Sequence, residues 1–126
     1  MRPVPRYVQE VDGSTLTFSV CTLVQSEEKY DRLLTSFARL GFSPDNSEFL
    51  AADNRSGNRF DGYSWTKTLL AEARGRYVIF CHDDVELIED GHDALLARLA
   101  ELDAIDPAWL LAGVAGGRWR VGRNNW

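Results

Sequence analysis

The sequence predicts an α/β fold with a Rossmann-like, mainly parallel sheet that carries helices on both faces. Segments rich in β-branched and apolar residues alternate along the chain with segments whose apolar residues recur at helical spacing. Strands that alternate with helices favour a parallel sheet with right-handed crossovers. The segment from Tyr77 to Cys81 is apolar at consecutive positions, as expected for a strand that is buried on both faces.

The composition indicates one globular domain. The chain has 126 residues, of which 44% are hydrophobic and 26% charged. Its net charge of -5 argues against nucleic acid or an anionic membrane as a partner, because either would need a basic surface. No apolar stretch approaches the ~20 residues of a membrane span, and the first ten residues lack the apolar core of a signal peptide. A cytoplasmic protein is therefore expected.

The first strand is predicted at residues 16–23, and a helix follows it. Ser26 can cap this helix, with Glu27 and Glu28 favourable in its first turn. Gly41 marks its end. Its apolar face comprises Tyr30, Leu33, Leu34, Phe37 and Leu40.

The middle of the chain predicts a second strand at residues 47–52, a polar loop at 53–62 and a second helix. In that helix Trp65, Leu69 and Ala73 face inward, and Gly75 stops it.

A third strand at residues 77–81 precedes a third helix, and a fourth strand is predicted at 109–114. The buried stripe of the third helix is predicted to be Leu95, Leu96, Leu99 and Leu102.

Three regions follow from this pattern. Residues 1–15 form an irregular segment or an edge hairpin around Asp12-Gly13. Residues 16–117 form the domain, and 118–126 form a tail. Cys21 and Cys81 lie inside apolar runs without C-x-x-C spacing, which is typical of reduced, buried thiols.

Polar side chains follow the first three predicted strands. His82, Asp83 and Asp84 end the third strand, and ligands of parallel sheets bind at the carboxyl ends of the strands. If the extended geometry continues, His82 and Asp84 point to one side and Asp83 to the other. Neighbouring carboxylates repel each other unless a cation relieves them, and Mg²⁺ or Mn²⁺ suits oxygen ligands that share a substrate phosphate.

The other two strand ends add polar groups to the same edge. Thr22 and Gln25 lie at or just past the end of the first strand, and Asp53 and Asn54 follow the second. Each residue alone has a simpler interpretation: the Asp-Asp pair caps a helix or turns the chain, Asp53-Asn54 forms a turn, and His82 makes a local hydrogen bond. The arrangement as a whole supports a binding site.

Four segments occur in an order similar to that of the family-2 glycosyltransferases of the GT-A fold. They are "TFSVCTLVQSEEKYDRLLTSF", "FLAADNRS", "LLAEARGRYVIFCHDDVEL" and "LLAGVAGG". Ala73, Gly75 and Tyr77 resemble the A-x-G-x-Y element of the family, and 80–85 resembles its D-x-D metal motif. The resemblance covers about residues 16–117.

The resemblance implies a truncated GT-A fold with the strand order second, first, third, and a glycosyltransferase that binds a nucleotide-diphosphate sugar. It implies nucleotide contacts from Thr22, Gln25, Asp53, Asn54 and Asp83. It also implies a Mg²⁺ or Mn²⁺ ion on Asp84, with His82 as a second ligand.

The departures from the family concern the motif and the acceptor half. His82 replaces the first acid of D-x-D. No Asp or Glu follows Asp106, so no carboxylate base is apparent beyond the donor site. We therefore expect a missing C-terminal segment or a homo-oligomer to complete the site and to cover Trp119 and Trp126.

Two other functions stay open. One is a non-catalytic module that binds a nucleotide sugar. The other is a receiver-like or flavodoxin-like signalling domain, although no Lys follows Lys67 where receivers carry one. The basic side chains of the tail, which could approach phosphates or remain solvated, are Arg118, Arg120 and Arg123.

Overall fold

A computed structural model describes residues 16–113 of the chain. It contains a three-stranded parallel sheet in the order β2-β1-β3. The strands are β1 (Phe18–Val24), β2 (Ser47–Asp53) and β3 (Tyr77–His82). The predicted α/β fold, the predicted order of these strands and their predicted positions are confirmed.

Three helices connect and follow the strands: α1 (Glu27–Arg39), α2 (Ser64–Glu72) and α3 (His92–Ile105). Ser26 caps α1 as predicted, because its side chain accepts a hydrogen bond of 3.3 Å from the backbone N–H of Lys29. Gly41 follows the end of α1 with a φ of +99°, a left-handed conformation that glycine adopts at little cost. No helix among the described residues is long and apolar enough to span a bilayer.

The central strand β1 is buried along its whole length, and aromatic rings cover one of its faces. The ring centroids of Phe18 and Phe42 are 5.5 Å apart. The ring centroid of Phe37 in α1 lies 4.9 Å from that of Phe42 and 5.9 Å from that of Phe49 in β2. His92 is the first residue of α3, and its ring meets that of Phe18 edge-on, with 5.4 Å between the ring centroids. These contacts attach α1 and the start of α3 to the sheet.

The opposite face of β1 packs against α2. Trp65 and Leu69, one helical turn apart, are buried against Cys21, Leu23 and Ala52. Helices thus cover both faces of the sheet, because alternate side chains of β1 point to opposite sides.

A polar network ties the turn between α2 and β3 to the other two strands. The Ser19 hydroxyl donates to Glu48 at 2.6 Å and accepts from the Gly75 N–H at 2.7 Å. Glu48 also accepts from the backbone N–H of Arg74 at 2.7 Å and pairs with its guanidinium at 3.0 Å. A side chain at Gly75 would lie 2.5 Å from the backbone of Phe18 and Ser19, so this turn requires glycine.

Two predictions for the C-terminal part are corrected. Residues 109–113 form no strand, and Leu110 and Leu111 are 94% and 87% exposed. Ala and Gly in this segment have low β-propensity, and a turn bond from the Trp109 N–H to the Asp106 carbonyl precedes it. The leucines that were predicted to form the buried stripe of α3 are only half-buried. The buried residue of this helix is His92.

The chain divides into two compact units, residues 1–95 and 96–126. The sheet belongs to the first unit. In the second, the indole Nε1 of Trp109 donates to Asp103 Oδ1 at 2.7 Å. The predicted N-terminal hairpin, residue 114 of the predicted fourth strand and the tail with its arginines and tryptophans lie outside the described residues.

Candidate functional site

The register of the sheet brings the three strand ends together. Val24 of β1 lies opposite Asp53 of β2, and Leu23 lies opposite His82 of β3. The polar residues that follow the strands therefore meet at one edge, the carboxyl edge, as the sequence predicted.

Asp83 is buried at this edge and serves as a cap. Its Oδ2 accepts hydrogen bonds from the backbone N–H groups of Gln25 at 2.7 Å and Ser26 at 2.8 Å. These N–H groups open α1, where a carboxylate is favourable. Asp83 therefore has the capping role that the simpler interpretation of the Asp-Asp pair described.

Asp53 is held by Arg55. The Arg55 Nε lies 2.9 Å from Asp53 Oδ1, its Nη2 lies 3.1 Å from Oδ2, and its backbone N–H donates to Oδ1 at 2.9 Å. The side-chain hydrogen bonds from Arg55, followed by the backbone bond, lower the pKa of Asp53 to about 2. The carboxylate is thus ionised, faces the edge and already has a cationic partner.

Asn54 is buried and shapes the loop that follows β2. Its Nδ2 donates to the Phe60 carbonyl at 3.0 Å, and its Oδ1 accepts from the Phe60 N–H at 3.0 Å. Both ends of the amide are used, so Asn54 closes the loop in the manner of a turn residue.

Thr22 lies in β1, two residues before the end of the strand, and is fully buried. Its Oγ1 lies 3.6 Å from Cys81 Sγ on the neighbouring strand. Both cysteines are free thiols, as predicted. The Gln25 side chain is exposed at the edge.

His82 and Asp84 are exposed at the end of β3. The His82 ring lies 5.8 Å from Trp65, which also meets Phe80 edge-on at 5.7 Å. Among residues 16–113 no group of three or more His, Cys, Asp or Glu side chains is placed to hold a metal ion. The Mg²⁺ or Mn²⁺ ion expected on Asp84, with His82 as a second ligand, stays a prediction, in which the phosphates of the ligand would supply the further oxygens.

A cleft of about 250 Å³ opens beside this edge, between α1 and β2. Half of its lining residues are apolar or aromatic and half are charged: Val24, Tyr30, Leu34 and Ala51, with Glu27, Asp31, Asp53 and Arg55. Burial, with smaller contributions from Cys81 and Cys21, raises the pKa of the Tyr30 phenol, which therefore stays neutral at physiological pH.

Asp53 is the one lining residue of this cleft that the sequence predicted as a site residue, and the missed ones include Tyr30, Glu27 and Arg55. Tyr30 was assigned to the apolar face of α1, and Glu27 to its first turn. Arg55 was placed in the polar loop. The spacing of Arg55 two residues after Asp53 was the available signal, since an Asp side chain readily bonds the backbone N–H two residues later.

Comparison with known proteins found one informative relative. No family model matches the chain. It is 62% identical, over 120 residues and 95% of its length, to a protein of Fuscovulum blasticum named "ATP synthase subunits region ORF 6". The chain spans about half the length of this relative, because the match covers 48% of it.

This comparison corrects the predicted activity. The name of the relative refers to ATP synthase subunits and not to a glycosyltransferase. The prediction that the protein transfers a sugar is therefore wrong.

Proposed function

We propose that this domain is a binding module that holds a nucleotide at the carboxyl edge of its sheet together with a divalent cation. The observation that carries the proposal is the meeting of three strand ends at the edge beside which a cleft lined by Tyr30 and Asp53 opens. Ligand sites of parallel sheets form at this place, and few polar groups in a largely apolar cleft suffice to orient a ligand.

The cleft offers distinct surfaces to the base of a nucleotide. Tyr30 and Leu34 of α1, with Ala51 of β2, present the apolar surface that a flat heterocycle needs. Asp53, ionised at neutral pH, accepts hydrogen bonds, and the N–H groups of a nucleobase donate them.

Asp84 and His82 fit a cation only when the ligand supplies further oxygens. Mg²⁺ keeps several waters and is commonly held by one or two carboxylates plus substrate phosphates, whereas a protein-only site needs more ligands. The cation would neutralise the phosphates next to an acidic edge. Asp84 and His82 would hold it, and Asp83 would keep the first turn of α1 in place behind it.

Isothermal titration calorimetry with ADP, UDP and GDP, each with and without Mn²⁺, tests the proposal. ADP is the first nucleotide to test because the relative's name refers to ATP synthase. We expect binding of at least one nucleotide with Mn²⁺ and little binding of Mn²⁺ alone. Absence of binding by all three, at up to millimolar concentration, would contradict the proposal.

The matched variants are Asp84→Ala and Asp90→Ala. Both remove one exposed carboxylate from the segment after β3. Asp84→Ala should weaken nucleotide binding in the presence of Mn²⁺ by about tenfold or more. Asp90→Ala should leave it unchanged, and equal effects of the two substitutions would remove Asp84 from the site.

A further inference from the structure

Arg55 contacts a carboxylate on each side of the cleft. Its guanidinium makes paired contacts with Asp53 of β2, at 2.9 Å and 3.1 Å. The same guanidinium lies 3.8 Å from Glu27 Oε1 in the first turn of α1. All three residues line the cleft, so one side chain links its β2 side to its α1 side.

Arg55 occupies Asp53, a group that the proposed ligand would need. Asp53 is the carboxylate to which the proposed function assigns the hydrogen bonds of the base, and both of its oxygens accept from Arg55. A ligand can use these oxygens fully only after the guanidinium has moved away. The side chains of Arg55 and Asp53 are 48% and 47% exposed, so water can replace the contact and the guanidinium can swing outward.

We propose that Arg55 is a latch that occupies the Asp53 carboxylate in the free protein, and that ligand binding requires Arg55 to release Asp53. This inference rests on the proposed function, because it concerns regulation of the same site. The latch acts as an internal competitor, so the apparent affinity is reduced in proportion to the fraction of molecules in which Asp53 is free of Arg55.

The size of the effect follows from the kind of contact. Exposed ion pairs are weak, and this one corresponds to a change in apparent affinity of about two- to fivefold. Salt screens such contacts, so the latch should weaken as the ionic strength rises.

The first experiment compares Arg55→Ala with Arg59→Ala by calorimetry, with ADP and Mn²⁺ at low salt. Both variants remove one positive charge from the same exposed loop, so both lose the same general attraction for phosphate. Arg55→Ala should bind about two- to fivefold more tightly than Arg59→Ala, and the difference should shrink in 0.5 M salt. Equal affinities, or weaker binding by Arg55→Ala, would overturn the latch; weaker binding would mean that Arg55 contacts the ligand.

A second measurement separates failure of the latch from failure of the proposed function. NMR titration of the assigned Asp53 carboxyl group in the free protein should give a pKa of about 2. The value should rise in Arg55→Ala but remain below its usual range, because the backbone N–H of residue 55 still donates to Asp53. An unchanged value would refute the latch whether or not any nucleotide binds.

Discussion

The carboxylate of Asp83 at the end of β3 accepts a hydrogen bond of 2.8 Å from the backbone N–H of Ser26, which lies 57 positions earlier in the chain. Together with the bond from Gln25, it supplies the acceptor that the first turn of α1 needs.

Asp83→Ala should therefore destabilise the fold by about 2–4 kcal/mol, because two N–H groups lose a charged acceptor in a buried place. Chemical denaturation in urea measures the loss. The neighbouring Asp84→Ala is the control, since an exposed carboxylate should change the unfolding free energy by less than about 0.5 kcal/mol. Similar losses in both variants would show that Asp83 is not a structural cap.

Gly75→Ala should be strongly destabilising. The added methyl group would lie 2.5 Å from the backbone of both Phe18 and Ser19, and 2.8 Å from the Ser19 hydroxyl. Backbone atoms of the central strand cannot move aside cheaply, so we expect a loss of about 3 kcal/mol or a failure to fold.

Gly62→Ala is the control for that substitution, since no atom lies within 4 Å of its added methyl group. Thermal unfolding should separate the two variants clearly. A melting temperature of Gly75→Ala close to that of Gly62→Ala would mean that the turn before β3 does not sit against β1 as described.

Glu48 should make the stability depend on pH. Burial alone would raise its pKa, but hydrogen bonds from Ser19 and from the backbone and side chain of Arg74 outweigh it, so the pKa is lowered. A lowered pKa in the folded state means that Glu48 contributes its full stabilisation above the unfolded value of about 4.3. The contribution should be lost as the pH falls through the folded value.

Urea denaturation between pH 3 and pH 7 tests this dependence. The unfolding free energy of Glu48→Gln should fall less steeply with decreasing pH below about pH 5 than that of the unsubstituted protein. Glu101→Gln is a suitable control, because Glu101 is exposed on α3 and has no part in this network. Identical slopes for Glu48→Gln and the unsubstituted protein would contradict the assignment.

The two thiols should react at different rates and should not form a disulfide with each other. Burial, followed by the charges of Glu48 and Cys81, raises the pKa of Cys21 to about 11, so about one molecule in a thousand carries its thiolate at pH 8. Cys81 is partly exposed to solvent, whereas Cys21 is buried. Burial also raises the pKa of Cys81, in spite of the opposing hydrogen bond with Thr22. Cys81 pairs with Thr22 across the strands, so the two thiols point to opposite faces of the sheet.

Iodoacetamide labelling followed by mass spectrometry measures these rates. We expect Cys81 to be labelled first in the native protein, and both cysteines to be labelled rapidly in 6 M guanidinium chloride. Faster labelling of Cys21 would be incompatible with its place in the core.

The strands and the site could be predicted to different degrees. The positions of β1, β2 and β3 followed from short runs of apolar and β-branched residues bounded by polar ones. The expectation that the third strand is buried on both faces is wrong, because β1 is buried along its whole length whereas β3 is half-buried and its Phe80 is 38% exposed. The segment at 109–113 has a similar apolar content but too few β-branched residues, so composition alone misled. The arrangement of the carboxyl edge was foreseeable from the parallel topology, which brings Asp53 and Asp83 to one side.

What each polar residue does at that edge could not be predicted. Whether an acid binds a ligand or a neighbouring backbone N–H depends on distances of a few tenths of an ångström between segments far apart in sequence. Asp83 meets Ser26, and Asn54 meets both polar backbone groups of Phe60, only because the intervening chain has folded. The simpler interpretations of both residues as cap and turn describe their contacts here, while a ligand role for Asp53 and Asp84 stays a prediction.

The parallel sheet has a consequence for how the protein acquires its structure. The central strand β1 is synthesised before both of its neighbours, and it pairs with β2 from residue 47 and with β3 from residue 77. No local hairpin can therefore nucleate the described sheet, and loop-closure entropy must be overcome before either pairing forms. While the ribosome makes the intervening residues, the mostly apolar strand β1 has neither of its neighbours to cover it. This period of synthesis is when the chain is most exposed to aggregation and most in need of a chaperone.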